Sequence, residues 1–190
     1  MIDFSPHGKT LIDFEPYPKT PRLSGSVTVT EKIDGTNACV LIDSLSPGSE
    51  FGGALVRAAS RKRLITPDDD NFGFATWVDQ HAEELATELG PGRHYGEWWG
   101  RGIQRGYGIN DRRFSVFSPG FYGLSTEWGL NSVPVLAYLP FLDMYDVDAI
   151  LGQLVEHGSR AAPGWMKPEG VIVSHAPSRH RYKAFCAGEK

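Results

Sequence analysis

The sequence predicts an α+β fold, with antiparallel sheets and flanking helices, and three observations carry that expectation. The 190 residues include 22 glycines and 13 prolines, well above the usual combined share of about 12%, so the chain turns often. Short β-branched runs with alternating polarity lie between those turns, the pattern of half-buried strands. Helical three-and-four spacing of apolar residues recurs in two segments, 71–89 and 146–157, too little for a helix bundle. The 41% apolar and 22% charged content exclude a disordered tail, a collagen-like repeat and a disulfide miniprotein.

In chain order, residues 26–33 (SVTVTEKI) form a first strand. Asp34-Gly35 is a turn signal, and 37–43 (NACVLID) reads as a second strand antiparallel to the first. A Ser/Pro/Gly loop precedes a third strand at 54–60. Residues 71–89 form one helix, with Phe74, Trp77, Val78, His81, Leu85 and Leu89 on one face and Gly90-Pro91 as its stop. Strands follow at 94–99, 114–117 and 135–139. A second helix spans 146–157 under an aspartate cap, with Val147, Ile150, Leu151, Leu154 and Val155 facing inward. The last strands are 170–174 and 181–185. Without a repeat or a linker, 1–190 reads as a single domain.

The net charge of −4 neither announces nor excludes a nucleic-acid partner. Its distribution is uneven. Residues 64–92 hold seven acids and no Lys or Arg, and 115–159 hold five acids and again no base. Bases gather at Arg57/Arg61/Lys62/Arg63, at Arg101/Arg105/Arg112/Arg113 and at Arg179/Arg181/Lys183, which suggests a molecule with one positive side. Cys39 and Cys186 show no CxxC spacing, against a structural zinc site or a disulfide framework. No segment has signal-peptide or membrane-spanning character, so the expected compartment is the cytoplasm.

Candidate chemistry begins at Lys32, at a strand end beside a tight turn. A nucleophilic lysine needs a rigid strand to aim its amine and a sheltered pocket to lower its pKa from about 10.4. Glu97 (in YGEWWG) and Glu169 (in PEGVIV) each touch a strand and a glycine that admits close ligand approach. Arg61 and Lys183 end strands as well. Taken singly, each of these also fits a solvated surface position.

Their order separates the two readings. Lys32, Arg61, Glu97, Phe117, Glu169 and Lys183 follow one another with β segments between them. The chain resembles the covalent nucleotidyltransferase superfamily of polynucleotide ligases and capping enzymes. KIDG (32–35) is similar to motif I, YGEWWG (95–100) to motif III, FSVF (114–117) to motif IIIa, EGVIV (169–173) to motif IV, and the strand around Lys183 to motif V. Within that superfamily it looks most like the RNA ligase 2 and RNA-editing ligase family. Thr36-Asn37 follow the glycine where DNA ligases usually carry Arg, and YPKTPRL (17–23) and GRGIQRGY (100–107) are similar to that family's flanking segments.

The resemblance implies a nucleotidyltransferase (adenylylation) domain of an ATP-grasp-like ligase type, without an OB domain. It implies that Lys32 attacks the α-phosphate of ATP and holds AMP as a phosphoramide. Glu31 helps seat the adenine, largely through its backbone. Asn37 and Arg61 hold the ribose and phosphate region, Glu97 binds the ribose hydroxyls, and Phe117 stacks on the purine. Glu169 acts near a Mg²⁺ or Mn²⁺ ion, and Lys183 neutralises the α-phosphate. Arg101, Arg105, Arg112 and Arg113 are expected near the phosphates of RNA ends or a nicked duplex.

Two positions depart from the family pattern. Motif V usually carries two lysines one residue apart; here Lys183 is followed by Ala184-Phe185, so the pair is either Lys183 with a lost partner or Arg181 with Lys183. Motif IIIa usually ends in Asp, where Ser118 stands. Thirty-one residues before Lys32 favour ATP over NAD, and seven after Lys183 leave no room for an OB or end-sealing domain, so adduct formation is expected to outpace sealing. The expected function is an ATP-dependent RNA ligase. The alternatives are a ligase of DNA or hybrid nicks and a non-catalytic nucleotide or nucleic-acid binding module.

Overall fold

The structure is a computed structural model that describes residues 14–19, 25–43, 55–140 and 143–186. Ala54 and residues 20–23, which figure in the expectations above, lie outside these. Two sheets carry the fold. The first has the order β10-β9-β1-β8, from β1 (Val27–Lys32), β8 (Val135–Leu139), β9 (Gly170–His175) and β10 (His180–Phe185), all antiparallel. The second has the order β4-β3-β2-β5-β6-β7, from β2 (Thr36–Asp43), β3 (Leu55–Ser60), β4 (Leu64–Ile65), β5 (Gly92–Gly100), β6 (Arg112–Val116) and β7 (Leu130–Ser132).

Helices cover the outer faces. In α3 (Met144–His157), Val147, Ile150 and Leu154 pack on Val27, Val29, Val171 and Val173 of the first sheet. In α1 (Phe74–Gln80) and α2 (Ala82–Leu89), Phe74, Trp77, Val78 and Leu85 pack on Val40, Ala58, Trp98 and Phe114 of the second. Each such side chain contributes about 1.5–3 kcal/mol by leaving water. A smaller cluster of Ile33, Trp99, Tyr107, Val133 and Ala162 fills the junction between the sheets. Among the described residues no helix is long and apolar enough to cross a membrane, and Cys39 and Cys186 are both buried.

Most elements lie where the sequence puts them, with four differences. β1 and β2 do not form a hairpin. Both edges of β1 are taken by β8 and β9, so the Asp34-Gly35 corner carries the chain from one sheet into the other. The helix at 71–89 breaks at His81, which leaves helical angles (φ −118°) and caps both pieces while its ring stacks on Trp128 at 4.8 Å. Tertiary ring packing outweighs a continuous apolar stripe there. The short strands β4 and β7 have no alternating run long enough to read, and β7 pairs parallel to β6, so the second sheet is mixed. Finally, α3 starts two residues earlier than read, with Asp143 as its cap: Oδ1 accepts the Tyr145 N–H at 2.9 Å.

Candidate active site

Strand alternation assembles one face of the first sheet. Thr28, Thr30 and Lys32 of β1 lie opposite Ser174, Ile172 and Gly170 of β9, which lie opposite Arg181, Lys183 and Phe185 of β10. α3 fills the other face. Against this face stand Phe117, Tyr122 and Val133 from the second sheet's side, and a cavity of about 360 Å³ lies between. Arg181 and Lys183 both line it. Phe185, two residues on, lies between the lysines instead: its ring centroid is 5.8 Å from the Lys32 Nζ and 5.2 Å from the Lys183 Nζ. The two cations one residue apart on the cavity are therefore Arg181 and Lys183.

Lys32 ends β1, and its Nζ donates to Glu169 Oε2 at 2.5 Å. Glu169 is 9% exposed and stands one residue before β9. The glycine after it is required. Gly170 faces Lys32 on one side and Phe185 on the other, its φ is +154°, and a Cβ there would collide with the Ala184 carbonyl.

Glu97 enters from β5, opposite Asn37 of β2. Its Oε1 accepts the Gly35 N–H at 3.2 Å. Burial pushes its pKa from 4.5 up to about 7; the positive charge of Lys32 and the Gly35 N–H oppose the rise, and the charges of Glu169 and Asp34 add to it. A folded pKa above the unfolded one gives stability that is full below about pH 4.5 and is lost as pH rises through about 7. Glu97→Gln should therefore flatten this profile. Urea melts at pH 8 should show the variant gaining on the order of 2 kcal/mol over wild type relative to their difference at pH 4, at about 1.4 kcal/mol per pKa unit less a discount for partial exposure.

Glu31 is 1% exposed and is among the residues that line the cavity, while strand alternation turns its side chain to the face opposite Lys32. Its carboxylate accepts from Ser159 Oγ at 2.5 Å and from the N–H groups of Arg160 and Ala161 at 2.8 and 2.9 Å. Burial raises its pKa despite these three donors. It anchors the loop after α3 to β1.

The remaining sequence-expected residues spread out. Arg61 follows β3, is exposed and does not line the cavity. Arg101 and Arg112 line a separate cleft of about 560 Å³ with Trp77 and Trp128, where Arg112 also donates to the carbonyls of Arg101 and Phe72. Arg113 pairs with Asp111 at 2.8 Å and lies over Trp99. Arg105 is turned inward onto Asp34. Arg57 pairs with Asp43 and Arg63 with Asp69, so with Arg105 and Arg113 four of the eight bases of the first two clusters are paired with acids.

Several residues of the site escaped the sequence reading. Asp34 read as a turn residue, yet its carboxylate carries Arg105 and its N–H donates to the Tyr107 hydroxyl at 2.7 Å. Tyr122, Val133 and Ile172 are cavity walls with no local signal beyond apolarity. For a divalent ion, the carboxylate oxygens of Glu169, Glu97 and Asp34 are the hard donors that Mg²⁺ or Mn²⁺ prefers. Among the described residues no group of three His, Cys, Asp or Glu side chains forms a metal cage. The Glu169 carboxylate would suit an ion whose remaining shell is phosphate oxygens and water.

The architecture matches structures of Naegleria gruberi RNA ligase. A mutant of that enzyme with ATP and Mn aligns at 15% identity and a TM-score of 0.57, over 87% of this chain and 51% of that one. A mutant with AMP and Mn gives 16%, 0.56, 86% and 50%, and the enzyme with PPi gives 15%, 0.52, 85% and 50%. At this identity the likeness is one of fold, and the chain spans about half the length of the ligase structures it matches. No curated protein matches the chain. The RNA ligase family matches residues 25–185, the stretch that carries both sheets, the cavity, Lys32, Glu97, Glu169 and Lys183, and the chain belongs to that family.

Proposed function

We propose that the chain performs the nucleotidyl transfer of an ATP-dependent RNA ligase through a lysine–AMP intermediate. The observation that carries this reading is the amine of Lys32, hydrogen-bonded to Glu169 on the same sheet face as the Arg181/Lys183-lined cavity. Lys32 Nζ attacks the α-phosphorus of ATP. A P–N bond forms, the P–O bond to pyrophosphate breaks, and pyrophosphate leaves with the electron pair. Glu169 Oε2, already on Nζ, takes the proton that the amine must lose. Arg181 and Lys183 offset the charge that develops on the phosphoryl oxygens. Phe117, with Tyr122 and Val133, supplies an apolar wall for the purine. Asn37 and Glu97, paired across β2 and β5, hold the ribose. A Mg²⁺ or Mn²⁺ ion, which the Glu169 carboxylate would hold, would supply further positive charge at the phosphates.

In the second step an oxygen of an RNA 5′-phosphate attacks the same phosphorus and returns Lys32 as a free amine. In the third a 3′-hydroxyl attacks the adenylylated end and releases AMP. The relatives with ATP and Mn, with AMP and Mn and with PPi support this nucleotide chemistry. RNA repair in the cytoplasm is the setting it suits.

The test combines the protein with ATP and Mn²⁺, and then with nicked duplexes whose 3′-hydroxyl strand is RNA or DNA. The expected results are a covalent AMP adduct, little adduct from GTP, and faster joining at the RNA-ended nick. ATP binding without an adduct would favour a non-catalytic module. Equal joining of DNA-only nicks would favour a ligase of DNA.

A further inference from the structure

Lys32 and Glu169 belong to segments 137 residues apart. Sheet pairing aligns Lys32 with Gly170, and the Cys186 N–H donates to the Glu169 carbonyl at 3.0 Å, so the main chain of Glu169 is pinned on the β10 side, while the loop that leads into it is held by other contacts. Arg105 bridges that loop to the corner after β1. Its Nε donates to Asp34 Oδ2 at 2.7 Å and its NH1 to the Lys167 carbonyl at 3.3 Å. Asp34 is two residues after Lys32, and Lys167 is two residues before Glu169.

The bridge rests on a stiff base. Tyr107, two residues from Arg105 and 2% exposed, accepts the Asp34 N–H through its hydroxyl. Its ring packs edge-on against Trp99 at 5.0 Å and against Trp165 at 5.8 Å. Trp165 Nε1 donates to the same Lys167 carbonyl at 2.9 Å. Gln104 and Tyr107 both hold positive φ, 43° and 51°, conformations that persist where surrounding contacts over-determine them. The side chains of Arg105 and Asp34 are 20% and 27% exposed, unlike the exposed Arg63–Asp69 pair at 53% and 66%.

We propose that Arg105 is a positioning residue for lysine adenylylation: by tying Asp34 to Lys167 it sets the Glu169 carboxylate on the Lys32 amine. This gives Arg105 a task other than the RNA contact its place in a basic run suggests, and it rests on the functional reading above. A guanidinium fork can hold a carboxylate and a carbonyl at once, whereas an ammonium on a flexible stem holds one well. Reacting groups that drift by about 1 Å lose about 10²-fold in rate.

The experiment compares wild type with Arg105→Ala, Arg105→Lys and the surface control Arg63→Ala. Lysine–AMP formation is followed against ATP concentration, with a thermal melt of each protein. RNA binding is measured across a salt series. Arg105→Ala should lower the maximal rate about 100-fold with KM for ATP changed less than about threefold, and Arg105→Lys should recover about tenfold of that loss. The salt slope of RNA binding should stay unchanged, and Arg63→Ala should match wild type throughout. A wild-type maximal rate in Arg105→Ala overturns the proposal, as does a KM rise at unchanged maximal rate or a shallower salt slope with intact adduct formation. If Arg105→Ala does not fold, Arg105→Lys decides: a slowed rate at an unchanged melt supports the proposal, and a wild-type rate overturns it. A wild type that makes no adduct fails the functional reading, and the proposal is then read from the Lys32 Nζ–Glu169 Oε2 contact in crystal structures of the variants, which Arg105→Lys must lengthen and Arg63→Ala must leave in place.

Discussion

Lys32→Ala gains no AMP from ATP, a fall of about 10⁴-fold or more in adduct formation, because among the described residues no other amine shares its setting and a nucleophile is not replaced by its neighbours. Lys183 lies on the same face but two strands away, with Phe185 between the two amines. The substitution also leaves Glu169, 9% exposed, without its cation and near Glu97, so the melt should fall by a few degrees. A nick that already carries AMP on its 5′-phosphate bypasses the lost nucleophile, and its joining should persist. Intact mass after ATP treatment and gel-resolved joining of the pre-adenylylated nick check the two halves. Loss of both with an unchanged fold would mean that Lys32 serves the last step as well as the first.

Glu31→Ala carries the largest expected cost in stability. It strips an acceptor from Ser159 Oγ and from the N–H groups of Arg160 and Ala161, and each buried donor left unmet costs about 1–3 kcal/mol. Removing a carboxylate whose burial is itself unfavourable offsets part of this. The net loss should be about 3 kcal/mol, which for a chain of this size lowers the melting temperature by about 10 °C. Glu31→Gln should cost clearly less, since its carbonyl oxygen can keep the Arg160 and Ala161 N–H groups while its NH₂ donates to the Ser159 hydroxyl, which can also accept. Thermal melts of the two variants check this. A larger loss in Glu31→Ala than in Glu31→Gln would tie the effect to the acceptor pattern, while a harmless Glu31→Ala would show that the 159–161 loop holds without β1.

The site was legible where its chemistry travels with a local pattern. Lys32 and Glu97 sit in strands near glycines, and Glu169-Gly170 opens an apolar run; singly each fits a solvated position, and it is their order along the chain, matching the motifs of the family it resembles, that singles them out. The Arg181/Lys183 question was open because either pair shares a strand parity with Phe185; the structure puts the Phe185 ring near Lys32 and both Arg181 and Lys183 on the cavity, which favours the Arg181–Lys183 pair. What stayed hidden depends on distant partners. Arg105 reads as one more base in a basic run, since nothing within that run shows that Asp34, 71 residues away, faces it. The Asp34-Gly35 turn signal was sound, but a turn says nothing about which sheet the next strand joins. That is decided by β8 and β9, which claim both edges of β1 from more than 100 residues downstream.

The most direct measurement is the position of the AMP. Protein incubated with ATP and Mn²⁺ is digested, and the adducted peptide is sequenced by tandem mass spectrometry under conditions that preserve a phosphoramide. A single AMP on Lys32 is the predicted result. AMP on any other residue, or no adduct in a protein that binds ATP, would contradict the account.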